Sequence, residues 1–299
     1  MKKVFKWIGI VLGSLVGLVV VTGIVLYLMG TARLNKTYHF QTSNIVIPTD
    51  AASIEYGKHR AETLCEGCHG PDLSGIEKWF NAGPLGTVDS ANLTSGDGGA
   101  GQEYKTDQDY VNAIRHGIDP EGLPIFMPAV GSTSHLSDED LGAIIAYVKS
   151  VPPVNHKTNG HQFKPLALIL LAAGKLGKLP VESVSHDIHV TAPARGISVE
   201  YGGYLVDTND CHVCHGPQLN GGPYPDPTIT LISPNLTPGG EVGFWTEEQF
   251  INTMRTGITP SKHQLSEHMP WKTYKLMTDD ELKAIFMYLH SIPKLEQYK

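Results

Sequence analysis

The sequence predicts an all-α protein in which one membrane-spanning helix precedes two copies of a small helical domain. Three observations lead to this prediction. A run of 22 residues without a formal charge, from Ile8 to Met29, lies near the N-terminus. The rest of the chain contains two stretches that repeat the same motifs in the same order. Both copies carry helix-start signals, and neither shows the alternation of apolar and polar residues that is typical of strands.

The N-terminal apolar run is long enough to cross a membrane. A helix of this length reaches about 33 Å, and a hydrocarbon core is about 30 Å thick. Lys2, Lys3 and Lys6 precede the run, so the positive-inside rule leaves the N-terminus in the cytoplasm. A cleaved signal peptide is the alternative, but its apolar region is usually shorter and no convincing cleavage site follows here. We expect a retained single-pass anchor in the bacterial inner membrane, with the bulk of the chain in the periplasm.

Three glycines of the predicted anchor, Gly9, Gly13 and Gly17, share one helix face. Small residues at this spacing let a second helix approach closely in lipid, which predicts a membrane redox complex as a partner. The alternative is that glycine is simply common in membrane helices.

The internal repeat divides the rest of the chain. Each copy contains, in order, Tyr-Gly, Cys-x-x-Cys-His, Asn-Leu-Thr, an Arg-x-Gly-Ile motif, Met-Pro and a final apolar segment. Duplication of one domain explains this order far more simply than coincidence. The predicted division is an anchor over 1–30, a linker over 31–49, a first domain over 50–153, a connector over 154–195 and a second domain over 196–299.

Capping residues and prolines mark the helix boundaries in both copies. Proline follows the last helix of each copy, at Pro152 and Pro293, because it lacks an amide donor and cannot continue a helix. Each copy also has two motifs in which a Ser or Thr stands three residues before an acidic residue or Gln, as at a helix N-terminus. These motifs begin at Thr106, Ser137, Thr246 and Thr278.

The connector contains an apolar stretch, Pro165 to Leu179, that is too short to span a bilayer. It could lie on the membrane surface with Lys164, Lys175 and Lys178 at the lipid headgroups. The alternative is that it packs across a domain junction.

The Cys-x-x-Cys-His motif is the attachment signature of haem c. Two thiols at this spacing reach the vinyl groups on one edge of the macrocycle, and the adjacent His lies beneath the iron. The sequence therefore predicts two covalent haems c. The residues concerned are Cys65, Cys68 and His69 in the first copy, and Cys211, Cys214 and His215 in the second.

Three other uses of these cysteines agree less well with the sequence. A four-cysteine zinc site fits poorly with pairs so far apart and a His after each pair. A thioredoxin-like redox motif needs a βαβ setting, which the pattern lacks. A disulfide across two intervening residues closes a very small loop and stabilises little.

The second axial ligand of each iron is predicted to be Met127 and Met269. Met127 is the methionine of the first copy, Met269 lies at the matching place in the second, and proline follows both. A thioether opposite His favours reduced iron and raises its potential. Bis-histidine ligation is the alternative, with His116, His135, His263 and His268 as the candidates.

Further residues are expected to support the haems. Arg115 and Arg255 recur at matching positions and either neutralise a propionate or lie on the solvated surface. Pro84 and Pro227 are expected to offer a carbonyl to the ligating His. The Asn-Leu-Thr triplets match a glycosylation acceptor, but their recurrence at equivalent places indicates a structural loop.

Charge limits the class of partner. The formal net charge is −7, and all 30 acidic residues lie within 50–153 and 181–299. Haem propionates would add to this negative charge. Nucleic acid is excluded because phosphate binding needs a basic footprint. Another electron-transfer protein with a basic patch is the expected soluble partner.

With Cys-x-x-Cys-His, Met-Pro and the capped final helix carrying Tyr147 or Tyr288, both domains resemble class I c-type cytochromes. Residues 50–299 resemble the bacterial multihaem cytochrome c subunits that accept electrons from membrane-associated alcohol, aldehyde or gluconate dehydrogenases. The resemblance implies a small helical domain around each haem, mostly His/Met ligation, and electron transfer to quinone or a terminal oxidase. This chain has two haem motifs where many of those subunits have three, and it has an N-terminal membrane helix.

The expected function is one-electron transfer on the periplasmic side, as a subunit of a respiratory or dehydrogenase complex. An accessory cytochrome of a quinol-oxidising, oxidase or photosynthetic complex is the first alternative. A dihaem peroxidase is the second, but it needs an iron with a position that can be vacated, and a Met in each copy disfavours it. We therefore expect an electron-transfer subunit without catalytic residues rather than an oxidoreductase in its own right.

Overall fold

The computed structural model describes residues 2–41, 43–225 and 229–298, and this part of the chain is mostly helical. The predicted all-α class is confirmed. The helices are α1 (Lys2–Leu34), α2 (Ala51–Leu64), α3 (Glu66–His69), α4 (Ala100–Glu103), α5 (Asp107–Val111), α6 (Val130–Thr133), α7 (Asp138–Ser150), α8 (Pro165–Ala172), α9 (Val199–Thr208), α10 (Cys211–His215), α11 (Glu247–Thr256), α12 (Trp271–Tyr274) and α13 (Asp279–Ser291).

The strands are only two or three residues long, which is why the sequence shows no strand pattern. The short strands β1 (Phe80–Asn81), β2 (Gly86–Val88) and β3 (His161–Phe163) form an antiparallel sheet in that order. The pair β4 (Gly222–Pro223) and β5 (Ile232–Ser233) forms a hairpin in the second copy.

Helix α1 is long and apolar enough to cross a membrane, although a signal sequence near the N-terminus would have the same length and composition. Its apolar side chains are almost all exposed within the chain. The face that carries Gly9, Gly13 and Gly17 has no neighbouring atom within 4 Å of a Cβ built on any of the three. This face is therefore open to a second helix.

Each repeat is built on the crossing of its first and last helices, α2 with α7 and α9 with α13. Gly57 and Gly202, from the repeated Tyr-Gly dipeptide, lie at the crossings. A Cβ at Gly57 would collide with the carbonyl oxygen of Ala143, and one at Gly202 with that of Ala284. Glycine is required here because the two backbones touch.

The predicted helix starts and stops are confirmed. Thr106, Thr246 and Thr278 form capping boxes, and the side chain of Ser137 accepts a hydrogen bond from the amide of Asp140. Helices α7 and α13 end at Ser150 and Ser291, shortly before prolines. Their apolar residues fill the two main cores, which contain Leu141, Ile144, Ile145 and Val148 in one repeat and Leu282, Ile285 and Leu289 in the other.

The connector packs on the C-terminal end of α1. Leu171, Leu179 and Val181 of the connector form a small core with Ile118 of the first repeat. Leu34, Tyr38 and Phe40 complete it. The anchor, the connector and the first repeat thus meet in one apolar cluster.

Candidate haem-binding sites

The two Cys-x-x-Cys-His motifs form short helices directly after the first helix of each repeat. All four thiols are unbonded. Burial raises the pKa of Cys65 and of Cys211 to about 12, and that of Cys68 to about 11. In residues 2–41, 43–225 and 229–298, no group of three or more His, Cys, Asp or Glu side chains is placed to hold a metal ion.

Both motif histidines have a defined orientation. Nδ1 of His69 donates to the carbonyl oxygen of Ala91 at 2.7 Å, and Nδ1 of His215 donates to that of Pro234 at 2.8 Å. Because a carbonyl only accepts, Nδ1 must carry the proton and Nε2 keeps its lone pair. Burial lowers the pKa of both histidines, which maintains this neutral form, while the carbonyl contact acts in the opposite direction. Nε2 is thus the ring nitrogen that could bind a metal.

The acceptors differ from those expected. The prediction of Pro84 is wrong, because the acceptor for His69 is Ala91. Pro227 lies outside the described residues, and the acceptor for His215 is Pro234. Ala91 directly precedes one Asn-Leu-Thr triplet and Pro234 the other, so the repeated triplet was the sequence signal for this contact.

A glycine in each repeat lets the acceptor segment, the loop that carries Ala91 or Pro234, come close to the motif. Gly75 and Gly221 have φ values of +85° and +79°, in the left-handed region. A Cβ on either glycine would also collide with the acceptor segment, at the carbonyl oxygen of Ser90 or of Ser233. Only glycine satisfies both conditions, because other residues are strained at such angles.

The Asn-Leu-Thr triplets hold the acceptor segment in place. Oδ1 of Asn92 accepts from the amide of Thr94 at 2.9 Å, and its Nδ2 donates to the carbonyl of Val154 at 2.8 Å. In the second repeat Asn235 makes the same contacts, to Thr237 and Leu295. All four Asn and Thr side chains are buried, which supports the structural role over glycosylation.

The second repeat contains a cavity of about 290 Å³ at its motif. The cavity brings together Cys211, Cys214, His215 and Met269, four residues that the sequence predicted as one site. These residues fit a covalently held haem, because a large flat ring needs apolar walls with thiols and ligands at its edge and faces. Apolar or aromatic side chains make up much of the remaining wall, among them Val206, Leu236, Trp245, Met254, Tyr274 and Leu289.

The alternative histidine ligands fall into different places. His263 and His268 also line this cavity, so position by itself does not choose between them and Met269. His135 is exposed. His116 is fully buried, with Nδ1 3.2 Å from Nδ1 of His186. Its partner was not foreseen because His186 lies 70 residues away in the connector.

Met127 of the first repeat is half-buried and is followed by α6, as Met269 is followed by α12. The ring of the neighbouring Phe126 packs edge-on against that of Phe163, with the two ring centroids 5.2 Å apart.

The two arginines at matching positions, Arg115 and Arg255, form ion pairs within their own repeats. Arg115 is fully buried, contacts Asp138 at 2.9 Å and donates to the carbonyl of Leu136 at 2.7 Å. Its placement on the solvated surface is therefore wrong. Arg255 makes the matching contact to Asp279 at 2.6 Å. Each arginine ties the Arg-x-Gly-Ile segment to the first turn of the last helix.

The first attachment motif lies against the second repeat, since a Cβ built on Gly67 would lie 3.6 Å from Oγ1 of Thr273. Asp210 is half-buried at the start of the second motif. Besides burial, its carboxylate helps to raise the pKa of Cys68 in the first repeat and that of Cys211 in the second. Oη of Tyr274 donates to the carbonyl of Asn209 beside it, at 2.6 Å.

A buried polar network joins the two domains, and sequence reasoning missed it. Arg60, fully buried in α2, contacts Asp140 of its own repeat at 3.3 Å and donates to Oγ1 of Thr208 in the other at 3.1 Å. Asp140 also accepts from Tyr56 at 2.9 Å and from Tyr204 at 2.8 Å. No local pattern marks these residues, because their partners come together only when the domains dock.

Comparison with known proteins identifies the class of this protein. The family described as "Cytochrome C oxidase, cbb3-type, subunit III" matches residues 52–148, and the family "Cytochrome c" matches residues 199–293. The chain therefore carries two cytochrome c domains, which function in electron transfer with haem c.

Relatives with assigned names agree with this class. A dihaem c-type cytochrome of Cereibacter sphaeroides is 28% identical over 78% of this chain and 83% of its own length. The fructose dehydrogenase cytochrome subunit of Gluconobacter japonicus is 31% identical over 42% of this chain, and the match spans 28% of that subunit. The cytochrome c subunit of the quinone alcohol dehydrogenase of Gluconacetobacter polyoxogenes is 28% identical over 70% of this chain and 49% of its own length.

Among solved structures, reduced cytochrome c4 of Pseudomonas stutzeri aligns with 82% of this chain at 18% identity and a TM-score of 0.23.

Proposed function

We propose that this protein is a membrane-anchored dihaem cytochrome c that transfers single electrons on the periplasmic side of the inner membrane. When bound, each haem supplies an iron that cycles between the ferrous and ferric states. The chain positions the iron, sets its potential and excludes water from it. The proposed units are the anchor over 1–30, the linker over 31–49, the domains over 50–153 and 196–299, and the connector over 154–195.

The observation that carries the proposal is the orientation of the motif histidines. In both repeats Nδ1 donates to a carbonyl, so Nε2 is the nitrogen available to iron. Cys65 and Cys68 would form the thioether bonds of the first haem, and Cys211 and Cys214 those of the second. Met127 and Met269 would supply the second protein ligand of each iron, with His69 and His215 as the first. In the second domain one cavity holds His215 and Met269, and the recurrence of Met-Pro in both copies favours Met269 over the histidines that line the same cavity.

The proposed partner is a membrane dehydrogenase or another respiratory complex. Several relatives are named as cytochrome subunits of fructose, gluconate or alcohol dehydrogenases, which supports this partner. The open face of Gly9, Gly13 and Gly17 offers a contact for a helix of such a complex. A second electron-transfer protein would take the electrons onward.

The ligand pairs are tested by Met127→Ala and Met269→Ala in the full-length protein matured by a host that attaches haem c. Pyridine haemochrome analysis and intact mass should first give two haems per chain. Each variant should lose the methionine-to-iron charge-transfer absorption of one haem and lower that haem's potential, because a thioether favours the ferrous state. Unchanged spectra and potentials in both variants would refute Met ligation. Rapid peroxide turnover by the wild type would favour a peroxidase instead.

A further inference from the structure

The connector helix α8 runs alongside the outer end of α1. Gly30 of α1 lies against α8 so closely that a Cβ there would collide with the carbonyl oxygen of Leu168. Three residues later, Nη1 of Arg33 donates to the carbonyl oxygen of Leu171 at 3.0 Å. The contacts advance by three residues on each helix, from Gly30 to Arg33 on α1 and from Leu168 to Leu171 on α8. The two helices therefore run in the same direction. Extending the pairing by one turn towards the membrane places Pro165, the start of α8, level with Tyr27.

The start of α8 forms an apolar tip together with the turn between β1 and β2. The amide of Lys164 donates to the carbonyl of Leu85 at 2.9 Å, and its Nζ contacts the carbonyl of Gly83 at 3.1 Å. Leu166 is 44% exposed. We call Gly83, Pro84, Leu85, Lys164, Pro165 and Leu166 the tip.

The depth of the tip follows from the anchor. The apolar run of α1 ends at Met29, four residues before Arg33, the next charged residue, and Tyr27 belongs where interfacial aromatics lie in membrane proteins. A tip level with Tyr27 therefore lies at the boundary between headgroups and acyl chains. Exposed Leu and Pro side chains flanked by Lys are typical of segments that rest in this layer.

The charge of the connector fits the same environment. Residues 154–180 contain no Asp or Glu, although the chain has 30 acidic residues. Lys164, Lys175 and Lys178 are all exposed. Lys164 stands at the membrane end of this acid-free segment and is the Lys expected beside acidic phospholipid headgroups, where it gains favourable electrostatic energy.

We propose that the tip inserts into the outer-leaflet interface of the bilayer that α1 crosses, as a second contact of the chain with acidic phospholipid. This rests on the proposed function only in that α1 must span the membrane. The contact fixes the first domain on the bilayer. Phe163, next to Lys164, packs against Phe126, the sequence neighbour of Met127, so this aromatic pair joins the tip to the first haem site. The first haem site is therefore the membrane-proximal one.

The test uses the full-length, haem-loaded protein in nanodiscs that contain phosphatidylglycerol. A photoactivated carbene on the lipid acyl chain labels residues that touch the bilayer, and peptide mass spectrometry locates the label. We expect label in α1 and at Leu85 or Leu166. Phe244 and Ile232 of the second domain, which are 80% and 62% exposed, should stay unlabelled as internal controls.

A charge variant tests the headgroup contact. Lys164→Glu should lower labelling of the tip at least twofold in anionic nanodiscs, while Lys157→Glu, the same change elsewhere on the connector, should leave it unchanged. Label in α1 without label at the tip, or equal effects of the two variants, would overturn this inference. An unlabelled α1 in a chain that washes off the bilayer would instead refute the anchor itself, and thereby the proposed function.

Discussion

Oη of Tyr204 in the second domain donates to Oδ2 of Asp140 in the first, at 2.8 Å. The reverse contact joins Nε2 of His59 in the first domain to Oε2 of Glu281 in the second, also at 2.8 Å. Tyr204 and His59 stand at the same place in the repeat, three residues after the Tyr of Tyr-Gly, and Asp140 and Glu281 match in the last helix. One contact is thus made twice, so the two domains face each other across an approximate twofold axis.

Removing the hydroxyl of Tyr204 should weaken this interface. The Tyr204→Phe variant leaves the buried Asp140 without one of its donors, and we expect the free energy of unfolding to fall by about 1.5–3 kcal/mol. Chemical denaturation followed by haem absorbance and far-UV circular dichroism measures it. Tyr298→Phe, at a residue 58% exposed, is the matched control and should have no effect. Equal stability of the two variants would contradict the role of the contact.

The buried pair of His116 and His186 should make the protein less stable in mild acid. Nε2 of His186 donates to the carbonyl of Val181 at 2.9 Å, so its Nδ1 accepts the proton of His116 Nδ1. Nε2 of His116 then keeps a lone pair without a partner. Burial, with His186 and Arg115 nearby, lowers the pKa of His116 to about 4.

The sign of the effect follows from proton uptake. Between about pH 6.5 and 4 the unfolded chain binds a proton at this position that the folded chain does not, so stability falls as the pH falls. From pH 7.5 to 5 this histidine should account for a loss of about 2 kcal/mol. His116→Phe retains a ring against Phe40 and removes the titration. As the pH falls from 7.5 to 5, the free energy of unfolding of the variant should therefore rise by about 2 kcal/mol relative to that of the wild type. Urea unfolding at each pH measures this difference. A pH-independent difference would contradict the assignment.

The contact of Glu182 with Arg33 should hold the connector to the anchor. The hydrogen bond from Arg33 lowers the pKa of Glu182 to about 2, and Tyr38 donates to the same carboxylate at 3.0 Å. The stabilisation is therefore present above about pH 4.5 and is lost as the pH falls through about 2. Glu182→Gln should cost about 1 kcal/mol at neutral pH, because the pair is partly exposed.

Hydrogen exchange in nanodiscs can check this effect. In Glu182→Gln, amides of α8 should exchange several-fold faster at pH 7, while those of α13 should be unaffected. Glu296→Gln provides the same change at an exposed carboxylate far along the chain. Unaltered exchange in α8 would show that the apolar cluster, rather than the ion pair, holds the connector.

The helix crossing at Gly57 should tolerate no side chain. Gly57→Ala would force α2 away from α7, and we expect a loss of about 1–3 kcal/mol, as for other overpacked cores. Gly131→Ala is the control, because no atom lies within 4 Å of a Cβ there and its backbone is helical. Thermal unfolding measures both. A Gly57→Ala protein as stable as Gly131→Ala would contradict the close contact.

Several features were determined by the sequence by itself. The Thr and Ser caps, the prolines and the apolar spacing of α7 and α13 act within one or two turns, so local chemistry specifies them. The repeat predicted two equal domains because duplication preserves order. The Cys-x-x-Cys-His spacing predicted haem attachment because thiols at that distance match the edge of a porphyrin. The proposed ligands rest on the same pattern and remain predictions.

Other features were decided only by the tertiary structure. The carbonyl of Ala91, and not that of Pro84, orients His69. The turn at Gly75 brings Ala91, 22 residues further along the chain, onto the imidazole ring. The Tyr204–Asp140 contact and the packing of α8 on Gly30 join segments that are 64 and 138 residues apart. Such contacts depend on where whole elements dock. Docking is set by the summed fit of many side chains and backbones, which no local pattern encodes.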